Sequence, residues 1–344
     1  MLSAVETTRE LLGTGVMTSA VGFGCAGLFR IPGRGARRWI LDSAYDAGIR
    51  HFDVAPMYGL GSAEAELASF LKGRRDNVTI TTKFGIDPTP FARGVAHIQQ
   101  PLRAVLAKRP HAEAGLKAAG TGPRSGPLGR LLYSSPGYHR HSAQVSLERS
   151  LRILGTDYVD VFLLHDPIGG LVARTPDLAD YLDEQRCRGR LRCWGVTGQP
   201  AELTRVTKYL DGTTVIQFRD DIFEKPASVE HAPGGARITY GALARTVPVF
   251  RQFLARSPGA LEKWSERLGI DFAAESSLPT MLLGSALRRN AAGPVLFTTT
   301  RAERAVVAAE AAAQSLELSG SEVTALGELA AAVRAAYPEK VGAP

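Results

Sequence analysis

The sequence predicts a (β/α)8 TIM barrel with a long insertion after the third strand, and three observations carry that expectation. Eight short apolar runs read as strands, and stripes with helical period stand between them. The order strand, turn, helix recurs along the chain, the pattern in which each parallel strand is covered by its own helix. The 344 residues suffice for one large α/β barrel or for two ordinary domains, and they can bury a sizeable core. A doubly wound sheet is the alternative. We expect a single barrel domain over residues 1–344, with 84–141 forming a basic insertion at the face where the strands end.

Taken in order, Ala20 to Gly24 is the first strand, and Ala36 to Ala47 a helix in which Ile40, Leu41, Ala44 and Tyr45 form one stripe. Ile49, His51 and Phe52 belong to a second strand, ended at Ala55-Pro56 because proline donates nothing to a ladder. Ser62, with Glu66 in the next turn, starts a helix whose Leu67, Phe70 and Leu71 share a face. Val78 to Thr82, ending in Lys83, is a third strand. A helix closing over Leu147 to Leu154 leads to the fourth, Tyr158 to His165. Leu178 to Cys187 is the helix before strand five, Trp194 to Thr197, and a helix from Ala201 precedes strand six, Thr214 to Phe218. Strand seven ends near Tyr240 and strand eight covers Val295 to Thr298. Between them, Pro248 to Asn290 has room for two helices.

The insertion after strand three exceeds the two to six residues usual for a βα loop. Leu102 to Ala119 reads as helical and Gly120 to Pro127 as flexible linker. Residues 91–141 hold eight Lys or Arg and one acid, Glu113, which accounts for the whole net charge of +7. Few aromatics and no regular basic spacing point away from a nucleic-acid partner and toward a solvated segment. The N-terminus lacks a signal peptide's apolar core, and no apolar run reaches membrane-spanning length, so a cytoplasmic protein with no membrane partner is expected. Cys25, Cys187 and Cys193 are odd in number without CxxC spacing, which argues for buried reduced thiols and against a disulfide framework or a zinc site.

Two motifs are discounted. Gly22-Phe-Gly24-Cys-Ala-Gly27 matches G-x-G-x-x-G, but Leu28 to Gly35, with Pro32, cannot open the helix that a dinucleotide fingerprint requires, so close backbone approach at a strand end is expected instead. His139-x-His141 has metal-like spacing on a strand but no third ligand, and reads as a surface pair; no metal is expected. His51, taken as opposite in strand parity to Asp53, is expected to pack against a helix. Trp194 and Trp264 read as core, and Asp166-Pro167 as a turn.

Asp53, Lys83 and His165 end consecutive strands and Tyr58 lies in the loop after the second, so the four converge on one mouth. A phenol, with a reference pKa of about 10, is a poor acid near neutrality. A lysine ammonium beside it favours the phenolate, and an aspartate keeps that lysine in place and charged. A histidine can orient a carbonyl oxygen and stabilise the charge developing on it. Such a set suits reduction of a carbonyl by a hydride donor, or the reverse.

At these residues the chain resembles the aldo-keto reductase family. The resemblance rests on Gly-Ile-Arg-His-Phe-Asp53-x4-Tyr58-Gly-x-Gly-Ser-x-Glu64, on Thr-Thr-Lys83-Phe-Gly, on Ser146 to His165, and on Arg192-Cys-Trp-Gly195-Val-Thr. It covers nearly the whole chain outside 91–141. It implies a (β/α)8 barrel, a catalytic set of Asp53, Tyr58, Lys83 and His165 with Tyr58 as general acid/base, and hydride transfer with NADP, NAD being the alternative. The implied substrate is a small carbonyl compound or sugar: an aldehyde, ketone or aldose. By the same resemblance Gln217 holds the nicotinamide carboxamide, Tyr240 stacks on its ring, and Gly24, Asp53, Thr197, Leu243, Thr299, Thr300, Arg301 and Arg304 contribute to the cofactor site. The family's Ser-Asn after strand five is Thr197-Gly198 here, and its adenine-binding acid and asparagine are small apolar residues around Val307 and Ala308. These departures keep open a reductase-like barrel that serves in binding, regulation or non-redox acid/base chemistry. The insertion and the loops after strands one and seven are expected to line the substrate pocket.

Overall fold

In a computed structural model, residues 7–94, 96, 127–223, 235–314 and 318–341 are described. An antiparallel hairpin of β1 (Thr8–Leu11) and β2 (Val16–Ser19) comes first. β3 (Val21–Gly24), α1 (Arg34–Asp46), β4 (His51–Asp53), α2 (Ala63–Leu71) and β5 (Thr79–Phe84) follow. β6 (Asp87–Pro88) then pairs with β7 (Tyr133–Ser134), which α3 (Pro127–Leu132) precedes. The chain continues through α4 (Arg140–Leu154), β8 (Val159–His165), α5 (Gly169–Val172), α6 (Asp177–Cys187), β9 (Leu191–Thr197), α7 (Pro200–Val206), β10 (Val215–Arg219) and β11 (Ala236–Tyr240). Three helices, α8 (Thr246–Arg256), α9 (Pro258–Leu268) and α10 (Ser277–Arg289), lie before β12 (Val295–Phe297), and α11 (Glu303–Gln314), α12 (Gly320–Ala336) and α13 (Pro338–Val341) end the molecule.

Eight of the strands close into a parallel barrel in the order β3-β4-β5-β8-β9-β10-β11-β12, with β12 returning to β3. The predicted fold class is therefore the observed one. Both faces of the strands are covered: outward residues such as Phe52, Ile80, Phe162 and Leu164 pack under the helices, while Val161, Leu163, Cys193, Val215, Ile238 and Leu296 fill the bore. Leu11 and Val16 of the first hairpin join that inner cluster and plug the end where the strands begin. A second core, built from α8, α9, α10 and α12 around Phe250, Trp264, Met281 and Leu329, flanks the barrel.

Several local expectations are corrected. The 248–290 region holds three helices rather than two, because Ser257-Pro258 breaks the segment and proline sits at the start of α9. Ser62 precedes α2 without a capping hydrogen bond, and Glu66 turns instead to Arg37, 2.7 Å away. His139 is not on a strand: it caps α4, its Nδ1 accepting from the Ser142 N–H at 3.2 Å. His51 does not face a helix. Two residues from Asp53, it shares that residue's face, enters the bore and meets the Thr81 hydroxyl at 3.0 Å. Cys25 and Cys193 are buried as expected, whereas Cys187 is exposed. The glycines of the 22–27 motif mark close approach at the strand end, as expected: a Cβ on Gly27, just past β3, would lie 2.3 Å from Thr298. The expected helix at 102–119 and linker at 120–127 fall almost wholly outside the described residues. No helix among the described residues is long and apolar enough to cross a membrane.

Candidate active site

Three of the four predicted side chains stand at or next to the C-terminal ends of adjacent strands, Asp53 on β4, Lys83 on β5 and His165 on β8. Asp53 is paired with Thr81 across β4 and β5, Lys83 with Leu163 across β5 and β8, and His165 with Thr197 across β8 and β9. The Lys83 ammonium donates to Asp53 Oδ1 at 2.6 Å and to the Val54 carbonyl at 3.1 Å, with both side chains almost wholly buried. Tyr58 follows in a tight turn begun by its N–H donating to the Ala55 carbonyl at 3.0 Å. That turn needs Gly59, whose φ is +60° and whose Cβ, if present, would lie 2.3 Å from the Phe29 ring. The turn aims the Tyr58 ring inward: its centroid lies 5.0 Å from Lys83 Nζ and 6.1 Å from the His165 ring, which it meets edge-on.

His165 is held from the insertion side. The buried Tyr138 hydroxyl donates to the carbonyls of His165 at 2.6 Å and Asp166 at 3.1 Å. Asp166 takes a left-handed backbone, φ 50°, and its N–H donates to the Thr197 carbonyl. The absence of a side chain on Gly198 leaves room beside it, since a Cβ there would lie 3.5 Å from Asp166 Oδ1. Tyr138 was missed by sequence reasoning, and its one available signal was an aromatic beside a Pro-Gly turn. Asp166 was read only as part of a turn.

Burial pushes the Tyr58 phenol well above its ordinary pKa, and the charges of Asp53 and Asp166 add to the shift. This reverses the expected tuning toward phenolate, because loss of solvent and two carboxylates outweigh the adjacent ammonium. Tyr58 is thereby kept a neutral phenol over a wide pH range. Burial likewise raises Tyr240, with Asp166 again contributing. His51, one layer below, is pushed down to about 3 by burial and the Lys83 charge.

The residues expected at the cofactor lie at the same end of the barrel. Gln217 ends up against Asp53, its Nε2 donating to Oδ2 at 2.7 Å. Thr197 and Tyr240 terminate β9 and β11, and Leu243 packs at the junction of the two cores. At Gly24 a Cβ would meet the Thr298 hydroxyl at 2.8 Å. Thr299 Oγ1 accepts from the Arg301 N–H at 3.1 Å ahead of α11, and Thr300 is exposed. Arg301 and Arg304 both reach Glu275 Oε1, at 3.3 and 2.5 Å, a partner absent from the sequence reading. Beside them is a cavity of about 540 Å3 walled by Ile270, Ser277, Met281, Val307 and Ala311 among others. Among the described residues no group of three His, Cys, Asp or Glu is arranged to hold a metal.

A buried lysine–carboxylate pair against a neutral phenol, with an imidazole beside it at a barrel mouth, is a device for moving one proton to or from an oxygen. Comparison with known proteins shows the family. A model of the aldo/keto reductase family matches residues 20–218. The chain is 28% identical over 262 residues to a D-threo-aldose 1-dehydrogenase of a Pseudomonas species, covering 70% of this chain and 69% of that protein. A pyridoxal 4-dehydrogenase of Microbacterium luteolum is 39% identical over 80 residues, 22% of this chain and 23% of its own length. In three dimensions, an aldo-keto reductase of Bacillus halodurans in its holo form superposes with a TM-score of 0.63 at 20% identity, over 94% of this chain and 96% of that one. The matched stretch contains the barrel from β3 to β10 with all four mouth residues, and the chain belongs to the aldo/keto reductase family, oxidoreductases of carbonyl substrates that use nicotinamide cofactors.

Proposed function

We propose that the protein is an NAD(P)-dependent oxidoreductase that interconverts an aldehyde, ketone or aldose with its alcohol or oxidised form, using Tyr58 as general acid/base. The observation that carries this reading is the buried 2.6 Å Lys83–Asp53 pair set 5.0 Å from the Tyr58 ring. When bound, the nicotinamide supplies or accepts the hydride. Tyr58 gives its proton to the carbonyl oxygen in reduction, and in oxidation its phenolate, formed by release of the phenolic proton to solvent, takes the proton of the alcohol. Lys83, anchored on Asp53 and the Val54 carbonyl, stabilises the phenolate left once the proton is given, until solvent returns a proton to it. The His165 imidazole orients the substrate oxygen and offsets its developing charge.

The residues present fit a dinucleotide. Gln217 and Thr197 offer polar groups at the bore, Tyr240 offers a ring face, and Arg301 and Arg304 at the start of α11 already hold one anion, the Glu275 carboxylate. NADP is favoured by these arginines, with NAD as the alternative. The test combines fluorescence titration with NADPH and NADH, a screen of aldoses and aldehydes, and the Tyr58→Phe variant. Cofactor binding with a fall in turnover of roughly 10² to 10⁴ in that variant is the expected result. Unchanged carbonyl turnover in Tyr58→Phe sinks the acid/base assignment, and failure to bind either cofactor sinks the oxidoreductase reading.

A further inference from the structure

Gln217 stands on β10, four strands from β4 whichever way the eight-stranded barrel is counted, so its amide crosses the bore from the opposite wall to reach Asp53. The contact is 2.7 Å, and Gln217, Asp53 and Lys83 are 2%, 3% and 1% exposed. A carboxylate only accepts, so the amide must present its NH2 to Asp53 Oδ2. The two carboxylate oxygens are thus divided between walls, Oδ1 to Lys83 and Oδ2 to Gln217. That division fixes the plane of the carboxylate. With Asp53 and the Val54 carbonyl taking two of the ammonium's three N–H groups, the direction of the third is fixed as well.

We propose that Gln217 is a positioning residue of the proton-transfer set: by clamping Asp53 it holds Lys83 in the orientation from which Tyr58 exchanges its proton. This rests on the oxidoreductase reading above and assigns the amide a task separate from contact with the cofactor. Removing the donor leaves a buried carboxylate oxygen unpaired, so Asp53 turns and Lys83 follows. A contact serving only the cofactor has a different signature, since its loss is made good by raising the cofactor concentration.

The test compares Gln217→Met, close in shape but without a donor, with Gln217→Glu. At saturating cofactor and substrate, Gln217→Met is expected to lower kcat about tenfold or more and to enlarge the solvent deuterium isotope effect on kcat, because proton transfer now limits turnover. In Gln217→Glu the new acid faces Asp53, and one of the two carboxyls keeps its proton well above the ordinary range. While it does, an O–H takes the place of the amide donor. The kcat of Gln217→Glu relative to Gln217→Met is therefore expected to rise as pH falls, a rescue that a packing role does not produce. Cofactor-free crystals of the wild type and Gln217→Met are expected to differ in the Lys83–Asp53 separation, now 2.6 Å. Wild-type kcat and isotope effect in Gln217→Met, with the whole loss in cofactor affinity, overturn the proposal. If the wild type binds neither NADH nor NADPH, the functional reading fails by itself, while an unmoved Lys83–Asp53 pair in the cofactor-free variant overturns the positioning role on its own.

Discussion

His51 illustrates how one residue in the bore ties the site's charge to the stability of the fold. It is fully buried, meets Thr81 through Nε2, and is pushed down to about 3 by burial first and the Lys83 charge second. The native imidazole is thus neutral where the unfolded one, near 6.5, takes up a proton. The unfolded state binds more protons between those two values, so stability rises with pH there and is lost as pH falls from about 6.5 toward about 3. At pH 5 the cost relative to neutrality is about 2 kcal/mol. Gln is uncharged and still able to bond Thr81, so His51→Gln is expected to remove that share of the acid sensitivity. Urea unfolding of both proteins at pH 7 and pH 5 measures it, and equal pH dependence in the two contradicts it. The same residue shows where sequence reading fails: its facing was misassigned although it stands two positions from Asp53, which alternation places on the same side.

At the scale of elements, β9 and β10 approach one another more closely than a side chain permits. A Cβ on Gly195 would lie 1.7 Å from the Val215 carbonyl oxygen, a backbone atom that cannot rotate away. Gly195→Ala is therefore expected to cost about 3 kcal/mol or more, read as a lowered denaturant midpoint, and a variant as stable as the parent disproves the close packing. The strands themselves were legible because each is a short apolar run, and three of the four mouth residues because they terminate such runs. Helix starts were less so. Ser62 is a residue type that caps helices yet makes no cap here, while His139, not a usual cap, does the work through its ring nitrogen. The partners of Tyr138 and Gln217 were illegible for another reason. Tyr138 acts on backbone carbonyls 27 and 28 residues away, and Gln217 on a carboxylate 164 residues away, so only closure of the barrel reveals either partner.

At the scale of the whole molecule, two cores of different origin share one chain. The barrel core follows from alternating strands and helices, and its seam, β12 against β3, joins the last strand to the first. The second core is helical and is bound to the barrel through α10, whose Leu283, Ala286 and Leu287 face the first core while Leu278, Met281 and Leu282 face the second. All four mouth residues belong to the barrel side, on or just after β4, β5 and β8. Phe250 is fully buried in the second core, with its ring centroid 5.5 Å from that of Phe223. Phe250→Ala is expected to cost about 3–5 kcal/mol, since the transfer energy of the ring is lost and a cavity is left behind. If the helical layer opens as its own cooperative unit, that cost falls on α8, α9 and α12, whose amides exchange faster, while β4, β5 and β8 keep their protection. Hydrogen exchange by mass spectrometry resolves the two, and equal loss of protection in barrel and helices refutes the division into separate units.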